Sequence, residues 1–323
     1  MNKIKLANLP TPIQKLNNIS ENTGKNIYLK RDDYTGMELT GNKIRKLEYV
    51  LADALAKGAN TIITAGGLQS NHCRATAAAC AKLGLECHLV LKEKEVYHEE
   101  GNLFLDYMFG AKIHLISKDE DRNAYMEQLA QELEAEDKNT YLIPIGASNA
   151  VGSLGYQETY EEIIEQEKQM DTSFDTIVVT VGSGGTYAGL WLANHLLNKE
   201  KKILGFSVDA STEEFTRKVI NIVKEMNTEV KDFDSIHIND RYIGEGYSIA
   251  TSEEIEDYVK IAKQEGVLFD PCYTGKAFRG LLKEIQKGEL DHAENILFIH
   301  TGGLYGWTQE NREIALRIVK ENQ

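Results

Sequence analysis

Residues 175–186 read DTIVVTVGSGGT, a run of β-branched residues that ends in a loop of small residues. A continuous apolar run of this length is typical of a strand that is buried on both faces of a sheet. The sequence then favours a helix from about Tyr187 and a further strand over Ile203–Val208. Strand, helix and strand in this order form a βαβ unit, which predicts a parallel sheet.

The same alternation continues on both sides of this unit. Further strands are predicted at residues 26–30, Thr61–Ala65, Cys87–Leu91, Lys112–Ile116, Thr140–Pro144, Val267–Phe269 and Asn295–His300. Apolar strands separated by helices predict an α/β fold with open, twisted parallel sheets that are covered by helices.

The length of the chain, 323 residues, is sufficient for two domains of ordinary size. The small and polar stretch Gly146–Ser153 is interpreted as a crossing between them. We therefore expect a larger domain of residues 1–45 and 152–323 and a smaller inserted domain of residues 46–151. A ligand would bind in the cleft between the two.

The charge balance restricts the partners. The formal net charge is −14, which argues against nucleic acid or an anionic membrane as the main partner. No apolar run reaches membrane-spanning length, and the first ten residues lack the apolar stretch of a signal peptide, so a cytoplasmic location is expected. The four cysteines and eight histidines show no metal-ligand spacing, and no metal site is expected.

Residues 39–49, LTGNKIRKLEY, predict the start of a helix, with Asn42 as its N-cap. Lys43, Arg45 and Lys46 then share the first turn, where the helix dipole already presents positive charge. This crowding should ease loss of the Lys43 proton, and a neutral amine is what a Schiff-base lysine requires. The alternative is a solvated basic helix start that binds a phosphate or carboxylate.

Two loops at strand ends could bind anions. Gly182–Thr186 has glycines that let backbone N–H groups approach a phosphate at a helix N-terminus, although the alternative is a plain tight turn. In the loop 66–72, Ser70 and Asn71 offer a hydroxyl and an amide to a carboxylate, and simple helix capping is the alternative.

Four motifs together resemble a known family: GNKIRKLEY at 41–49, QSNH at 69–72, DPCYTGK at 270–276 and HTGG at 300–303. They are similar, in the same order, to those of D-cysteine desulfhydrases and 1-aminocyclopropane-1-carboxylate deaminases. The resemblance runs nearly end to end. It implies a pyridoxal 5'-phosphate enzyme of the tryptophan synthase β-subunit fold that acts on a small amino acid, as a homodimer.

The resemblance also implies roles for individual residues. Lys43 would be the Schiff-base lysine and general base, Tyr273 would protonate or orient the leaving group, and Ser70 would assist. The implied cofactor-binding residues are Lys43, Asn71, Gly182, Ser183, Gly184, Gly185, Thr186, Thr274 and Thr301. The implied substrate-binding residues are Ser70, Asn71, His72, Tyr247 and Tyr273.

Two threonines bear on the reaction. In the deaminases a glutamate stands at the position of Thr274 and a leucine at that of Thr301. Hydroxyls hold a proton on the pyridine nitrogen less well than a carboxylate does, which suits β-elimination of a good leaving group. The resemblance thus favours conversion of D-cysteine to pyruvate, sulfide and ammonia.

Three alternatives stay open at this point. The first is an L-cysteate sulfo-lyase that uses Arg74 or Lys276 for the sulfonate, and the second is a 1-aminocyclopropane-1-carboxylate deaminase. The third, of a different class, is a non-catalytic small-molecule binder that kept the fold.

Overall fold

The protein is described by a computed structural model that covers residues 2–94, 97–197 and 200–321. Its strands are β1 (Ile13–Lys15), β2 (Asn26–Lys30), β3 (Thr61–Gly67), β4 (Glu86–Lys92), β5 (Lys112–Ile116), β6 (Thr140–Leu142), β7 (Thr176–Val181), β8 (Lys202–Ser207), β9 (His237–Asn239) and β10 (Asn295–Ile299). Its helices are α1 (Asn17–Thr23), α2 (Asn42–Ala56), α3 (Asn71–Leu83), α4 (Gly101–Met108), α5 (Arg122–Glu134), α6 (Ala150–Met170), α7 (Gly185–Leu196), α8 (Thr212–Met226), α9 (Ser252–Glu265), α10 (Thr274–Gln286) and α11 (Gln309–Glu321).

The strands form two sheets. The larger has the order β1-β2-β10-β7-β8-β9, and the smaller has the order β5-β4-β3-β6. Every neighbouring pair is parallel except β1 with β2, which is antiparallel at the edge of the larger sheet. The predicted α/β fold with two parallel-sheet domains is confirmed.

One predicted strand is wrong. Residues 267–269 have no strand pairing, although Val267 and Phe269 are buried in the core of the larger sheet. The outer position next to β8 is taken instead by β9, a strand that was not predicted from the sequence. Only Ile238 of its three residues is buried, so no apolar run marks it.

Helix α2 packs against both halves of the molecule. Ile44, Leu47 and Val50 belong to the apolar core of the smaller sheet, together with Leu6 and Ala7 near the start of the chain. The opposite side of α2 packs on α6. The two helices approach closely, since a Cβ at Gly155 would lie 2.3 Å from the backbone oxygen of Arg45. The domain boundaries at residues 45 and 152 remain a prediction.

Buried ion pairs hold α2 in place. The Arg45 guanidinium donates to both carboxylate oxygens of Asp32, at 3.0 and 2.8 Å, and to Glu162 of α6 at 3.0 Å. Arg45 and Asp32 are both fully enclosed. Removing one member of such a pair leaves an uncompensated buried charge and costs about 3–5 kcal/mol. The network therefore fixes the turn that carries Lys43.

Two further sequence expectations can be placed. Cys73 and Cys80, both on α3, belong to the core of the smaller sheet, and all four cysteines are free and buried. Within the described ranges, no helix has the length and apolar character needed to cross a membrane.

Candidate active site

A cleft of about 870 Å³ lies where α2, α3 and α7 begin and where strands of both sheets end. Among the predicted site residues, those that line it are Lys43, Ser70, Asn71, His72, Gly182, Ser183, Gly184, Thr186, Tyr247, Tyr273 and Thr301. Two predicted residues, Gly185 and Thr274, do not line it but are next to residues that do. The topology thus brings together motifs that lie more than 200 residues apart.

Lys43 lies in the first turn of α2, with its amine against the turn at Gly146. A Cβ at Gly146 would be 3.1 Å from Lys43 Nζ and 2.5 Å from Ser183 Oγ, so the amine and the glycine loop face each other across this position. Burial lowers the pKa of Lys43 to about 8.

The cause of this pKa shift differs from the sequence argument. The shift arises from desolvation and Arg45 does not contribute to it, whereas burial, together with the repulsion between Lys43 and Lys46, lowers the pKa of Lys46 instead. The Arg45 charge is compensated by Asp32 and Glu162, and burial lowers the pKa of Lys46 well below its usual range. The crowding of cations at the helix start is therefore relieved by ion pairing and by burial.

Lys46 ties the Gly146 turn to the glycine loop. Its side-chain nitrogen Nζ donates to the Gly146 carbonyl at 2.6 Å and to Ser148 Oγ at 2.7 Å. Ser148 Oγ in turn lies 2.7 Å from Ser183 Oγ. No local pattern in the sequence indicates that Lys46 makes this link, since its partners are about 100 residues away along the chain.

The glycine loop between β7 and α7 has the shape of an anion cradle. Gly184 is the residue before α7 and has φ +88°, which favours glycine. There is little room for side chains, because a Cβ at Gly182 would lie 3.3 Å from the Tyr273 ring and one at Gly185 would lie 2.7 Å from Lys46 Nζ. No acidic residue occupies the first turn of α7, so the positive end of its dipole is open to an anion, although the Gly185 N–H already donates to Ser148 Oγ at 3.3 Å.

Asn42 was predicted as the N-cap of α2, and this is wrong. The helix begins at Asn42 itself, after Gly41, and there is no side-chain cap. The Asn42 amide instead donates to Thr186 Oγ1 at 3.0 Å and lines the cleft. Asn42 thereby links the start of α2 to the glycine loop.

Ser70 and Asn71 stand at the start of α3. Ser70 is the N-cap, and its hydroxyl accepts from Cys73 N at 3.2 Å, which leaves its own proton for a ligand. Asn71 Oδ1 accepts from the Asn102 amide at 2.9 Å, so the Asn71 NH₂ group is the part that can donate into the cleft. The Asn102 backbone N–H donates to Gln69 Oε1 at 2.9 Å, which holds Asn102 in place. Asn102, on α4, is a positioning residue that no local pattern indicated.

The tautomer of His72 follows from its hydrogen bonds. Thr64 Oγ1 donates to the Ile143 carbonyl at 2.8 Å, so His72 Nε2, at 2.8 Å from the same oxygen, must be the donor. Burial, with Lys43 and Lys46 nearby, lowers the pKa of His72 well below its usual range. Nδ1 is therefore unprotonated, and it has no partner among the described residues. In this state His72 can accept a hydrogen bond there but cannot donate one to a carboxylate.

Tyr247 and Tyr273 form a pair through their hydroxyls, with the rings edge to face at 5.6 Å between centroids. Burial raises the pKa of both phenols well above the usual range, so both are protonated near neutral pH. Since one hydroxyl donates to the other, a single phenolic proton is left for a ligand.

The two threonines have different surroundings. Thr301 lines the cleft, and its backbone oxygen accepts from Asn42 N at 3.2 Å. The Thr274 hydroxyl is fully buried and donates to Asp270 Oδ1 at 2.6 Å. Its single proton is thus already engaged.

Arg74 and Lys276, considered for a sulfonate, lie outside the cleft lining. The Arg74 guanidinium donates to the carbonyls of Glu38 and Thr40 and to Asn102. The Lys276 ammonium donates to the carbonyls of Ile243 and Gly246. Both cations bind the protein itself, which removes the structural reason for the L-cysteate alternative.

Comparison with solved structures supports the fold. The crystal structure of a 1-aminocyclopropane-1-carboxylate deaminase homologue matches with a TM-score of 0.89 and 40% identity, over 98% of this chain and 96% of that one. O-ureido-L-serine synthase matches with a TM-score of 0.68 and 18% identity, over 94% and 92% of the two chains, which shows a shared fold alone. The predicted tryptophan synthase β-like fold is confirmed.

Comparison with curated sequences gives the family. The chain is 44% identical over 313 residues to a bifunctional D-cysteine desulfhydrase/1-aminocyclopropane-1-carboxylate deaminase, mitochondrial, of Arabidopsis thaliana, with 93% of this chain and 78% of that protein covered. It is 43% identical over 312 residues to a putative 1-aminocyclopropane-1-carboxylate deaminase of Pyrococcus horikoshii, with 94% and 92% covered. Residues 4–302 match the family described as pyridoxal-phosphate dependent enzyme. The chain therefore belongs to the pyridoxal-phosphate-dependent enzymes, in the family of the 1-aminocyclopropane-1-carboxylate deaminases and D-cysteine desulfhydrases.

Proposed function

We propose that this enzyme catalyses β-elimination on a small amino acid, with D-cysteine as the favoured substrate and pyruvate, sulfide and ammonia as products. The observation that carries the proposal is the pair of hydroxyls at Thr274 and Thr301, where the deaminases have a glutamate and a leucine. Because Thr274 donates its proton to Asp270, it has none to offer a ring nitrogen. This arrangement supports elimination of a good leaving group over opening of a cyclopropane ring.

The described residues fit the cofactor. Lys43 supplies a buried amine of lowered pKa, and the loop Gly182–Thr186 supplies a cradle that side chains would fill. Asn71, oriented by Asn102, can donate to the phenolic oxygen. When bound, pyridoxal phosphate withdraws electrons from the substrate α-carbon, which makes its proton removable.

The remaining steps fall to side chains. The Asn71 amide and the Ser70 hydroxyl would bind the substrate carboxylate at the N-terminus of α3, where the helix dipole favours an anion. The freed Lys43 amine would take the α-proton, and Tyr273 would give its proton to the departing sulfide. His72 lines the cleft beside Asn71 and would pack against the substrate, while its unprotonated Nδ1 stays buried.

The 1-aminocyclopropane-1-carboxylate deaminase reaction is the second candidate; the name of the Pyrococcus relative favours it, whereas the Arabidopsis relative is named for both reactions. The L-cysteate alternative is weaker, since Arg74 and Lys276 are engaged elsewhere. We further propose a homodimer, by family resemblance, and a cytoplasmic location, although the Arabidopsis relative is named mitochondrial.

A substrate screen tests the reaction. Purified enzyme with added pyridoxal phosphate is given D-cysteine, L-cysteine, L-cysteate or 1-aminocyclopropane-1-carboxylate, and pyruvate, 2-oxobutanoate and sulfide are quantified separately. We expect D-cysteine to have the highest kcat/KM, by about tenfold or more over the cyclopropane substrate, a difference of about 1.4 kcal/mol in transition-state stabilisation. Faster release of 2-oxobutanoate than of pyruvate would replace this proposal with the deaminase reaction.

The lowered pKa of Lys43 predicts how the apoenzyme captures its cofactor. Only a neutral amine attacks an aldehyde, so the capture rate should rise with pH and level off above about pH 8, the pKa of Lys43. An exposed lysine would give a rate that still rises near its usual pKa of about 10.4. Stopped-flow absorbance across this pH range measures the rate. A midpoint close to the value of a free lysine would contradict the burial argument.

A further inference from the structure

Lys276 is a buried cation that the proposed chemistry does not use. It lies in the first turn of α10 and is 1% exposed. Its ammonium nitrogen donates to the carbonyls of Ile243 and Gly246, at 2.6 Å each. Both acceptors belong to residues 243–249, here called the Tyr247 loop, which leads from β9 towards α9.

The Tyr247 loop has little internal support. Among the described residues of the loop, the single backbone–backbone hydrogen bond inside it joins Ile249 N to the Gly246 carbonyl at 3.3 Å. Gly246 has φ +121° and Ser248 has φ +62°. A non-glycine residue holds a positive φ only where its surroundings impose it. The shape of the loop therefore depends on contacts to the rest of the protein.

Those contacts converge on one segment. Tyr247 bonds through its hydroxyl to Tyr273, the residue just before α10, and Lys276 follows three positions later. The start of α10 thus holds the loop at two places. Tyr273 bonds to the Tyr247 hydroxyl, and Lys276 bonds to the loop carbonyls. On the other side of the loop, Glu254 lies against Gly244, where a Cβ would be 2.8 Å from Glu254 Oε1.

We propose that Lys276 is a positioning residue that holds the Tyr247 loop against the start of α10 and so keeps Tyr247 on the wall of the cleft. A lysine suits this task, because its compact ammonium has three donors and can bind two carbonyls at once. That Tyr247 contacts the substrate rests on the proposed function. The anchoring of the loop rests on the hydrogen bonds alone.

The test uses the full-length holoenzyme and four variants. Lys276→Met removes the donors, Lys276→Gln keeps a donor without the charge, and Lys276→Arg restores both. Lys283→Met removes a lysine from the same helix about two turns further on and is the matched control. The first readout is the rate of chymotrypsin cleavage after Tyr247, identified by mass, which needs no turnover. The second is the separation of KM from kcat with the best substrate of the screen.

We expect Lys276→Met to be cleaved after Tyr247 about tenfold faster or more, since proteolysis tracks the open population of a segment. KM should rise by a similar factor while kcat changes little, because a smaller fraction of the enzyme has the loop in place. Lys276→Gln should be intermediate, Lys276→Arg should keep the charge but fall between Lys276→Gln and the wild type because the guanidinium is larger, and Lys283→Met should resemble the wild type.

Two results would overturn the proposal. Cleavage at the wild-type rate in both Lys276→Met and Lys276→Gln would show that the lysine does not hold the loop. Faster cleavage with unchanged KM would show that the Tyr247 loop does not shape the part of the cleft that binds the substrate. Should the wild type turn over none of the substrates, the proposed function fails, and cleavage still decides whether Lys276 anchors the loop.

Discussion

Lys43→Ala is expected to lower turnover by at least about 10³-fold, because it removes both the covalent attachment point of the cofactor and the base that takes the α-proton. The visible absorbance of the bound cofactor should also be lost. Borohydride reduction of the wild type followed by peptide mapping should find the cofactor on the peptide that contains Lys43.

A second lysine provides the control for this change. Lys118 also lines the cleft but, unlike Lys43, is exposed to solvent. Lys118→Ala should keep the absorbance band and most of the activity. If Lys43→Ala retained a reducible adduct, the attachment site would have to be another amine, and the assignment would fail.

Gly146→Ala is expected to have the next largest effect. The added Cβ would lie 2.5 Å from Ser183 Oγ and 3.1 Å from Lys43 Nζ, and φ at this position is +71°. Backbone strain alone costs about 1–2 kcal/mol, and the displaced serine and amine add to it. We expect cofactor affinity to fall by about 10- to 100-fold, or about 1.4–2.8 kcal/mol, measured by titration of the apoenzyme.

Gly24→Ala separates strain from displacement. Gly24 has φ +68°, nearly the same as Gly146, but a Cβ there would meet nothing within 4 Å. This variant should lose about 1–2 kcal/mol of stability, the cost of backbone strain alone, and keep its cofactor affinity. Equal affinity in Gly146→Ala and the wild type would mean that the turn does not shape the cofactor site.

Much of the fold could be predicted from the sequence because the central strands are continuous apolar runs. β7 and β5 were found within a residue or two, whereas β9 carries a single buried side chain and gave no signal. Val267 and Phe269 led to the prediction of a strand that does not exist, for the opposite reason. They are buried without pairing, and periodicity cannot distinguish burial from strand pairing.

The candidate site was predictable where a motif is local and not where contacts cross the chain. Lys43, the glycine loop and the Ser70–Asn71 pair lie within short motifs at the ends of elements. Asn102 and Gly146 act through partners in other elements, and no spacing along the sequence marks them. The two threonines show the same limit. Both lie in short motifs, but only the fold shows that the Thr274 hydroxyl donates a hydrogen bond to Asp270.

The double attachment of α2 has a mechanical consequence. One side of this helix is part of the core of the smaller sheet, and Arg45 on the other side is ion-paired with Asp32 and Glu162 beside the larger sheet. A relative rotation of the two sheets that pivots near α2 would keep both sets of contacts, since this helix cannot follow one sheet alone without losing its contacts to the other. Points near a pivot move least. Lys43 lies at the N-terminal end of α2, next to this pivot. The opposite side of the cleft can therefore open while the Lys43 amine stays almost still.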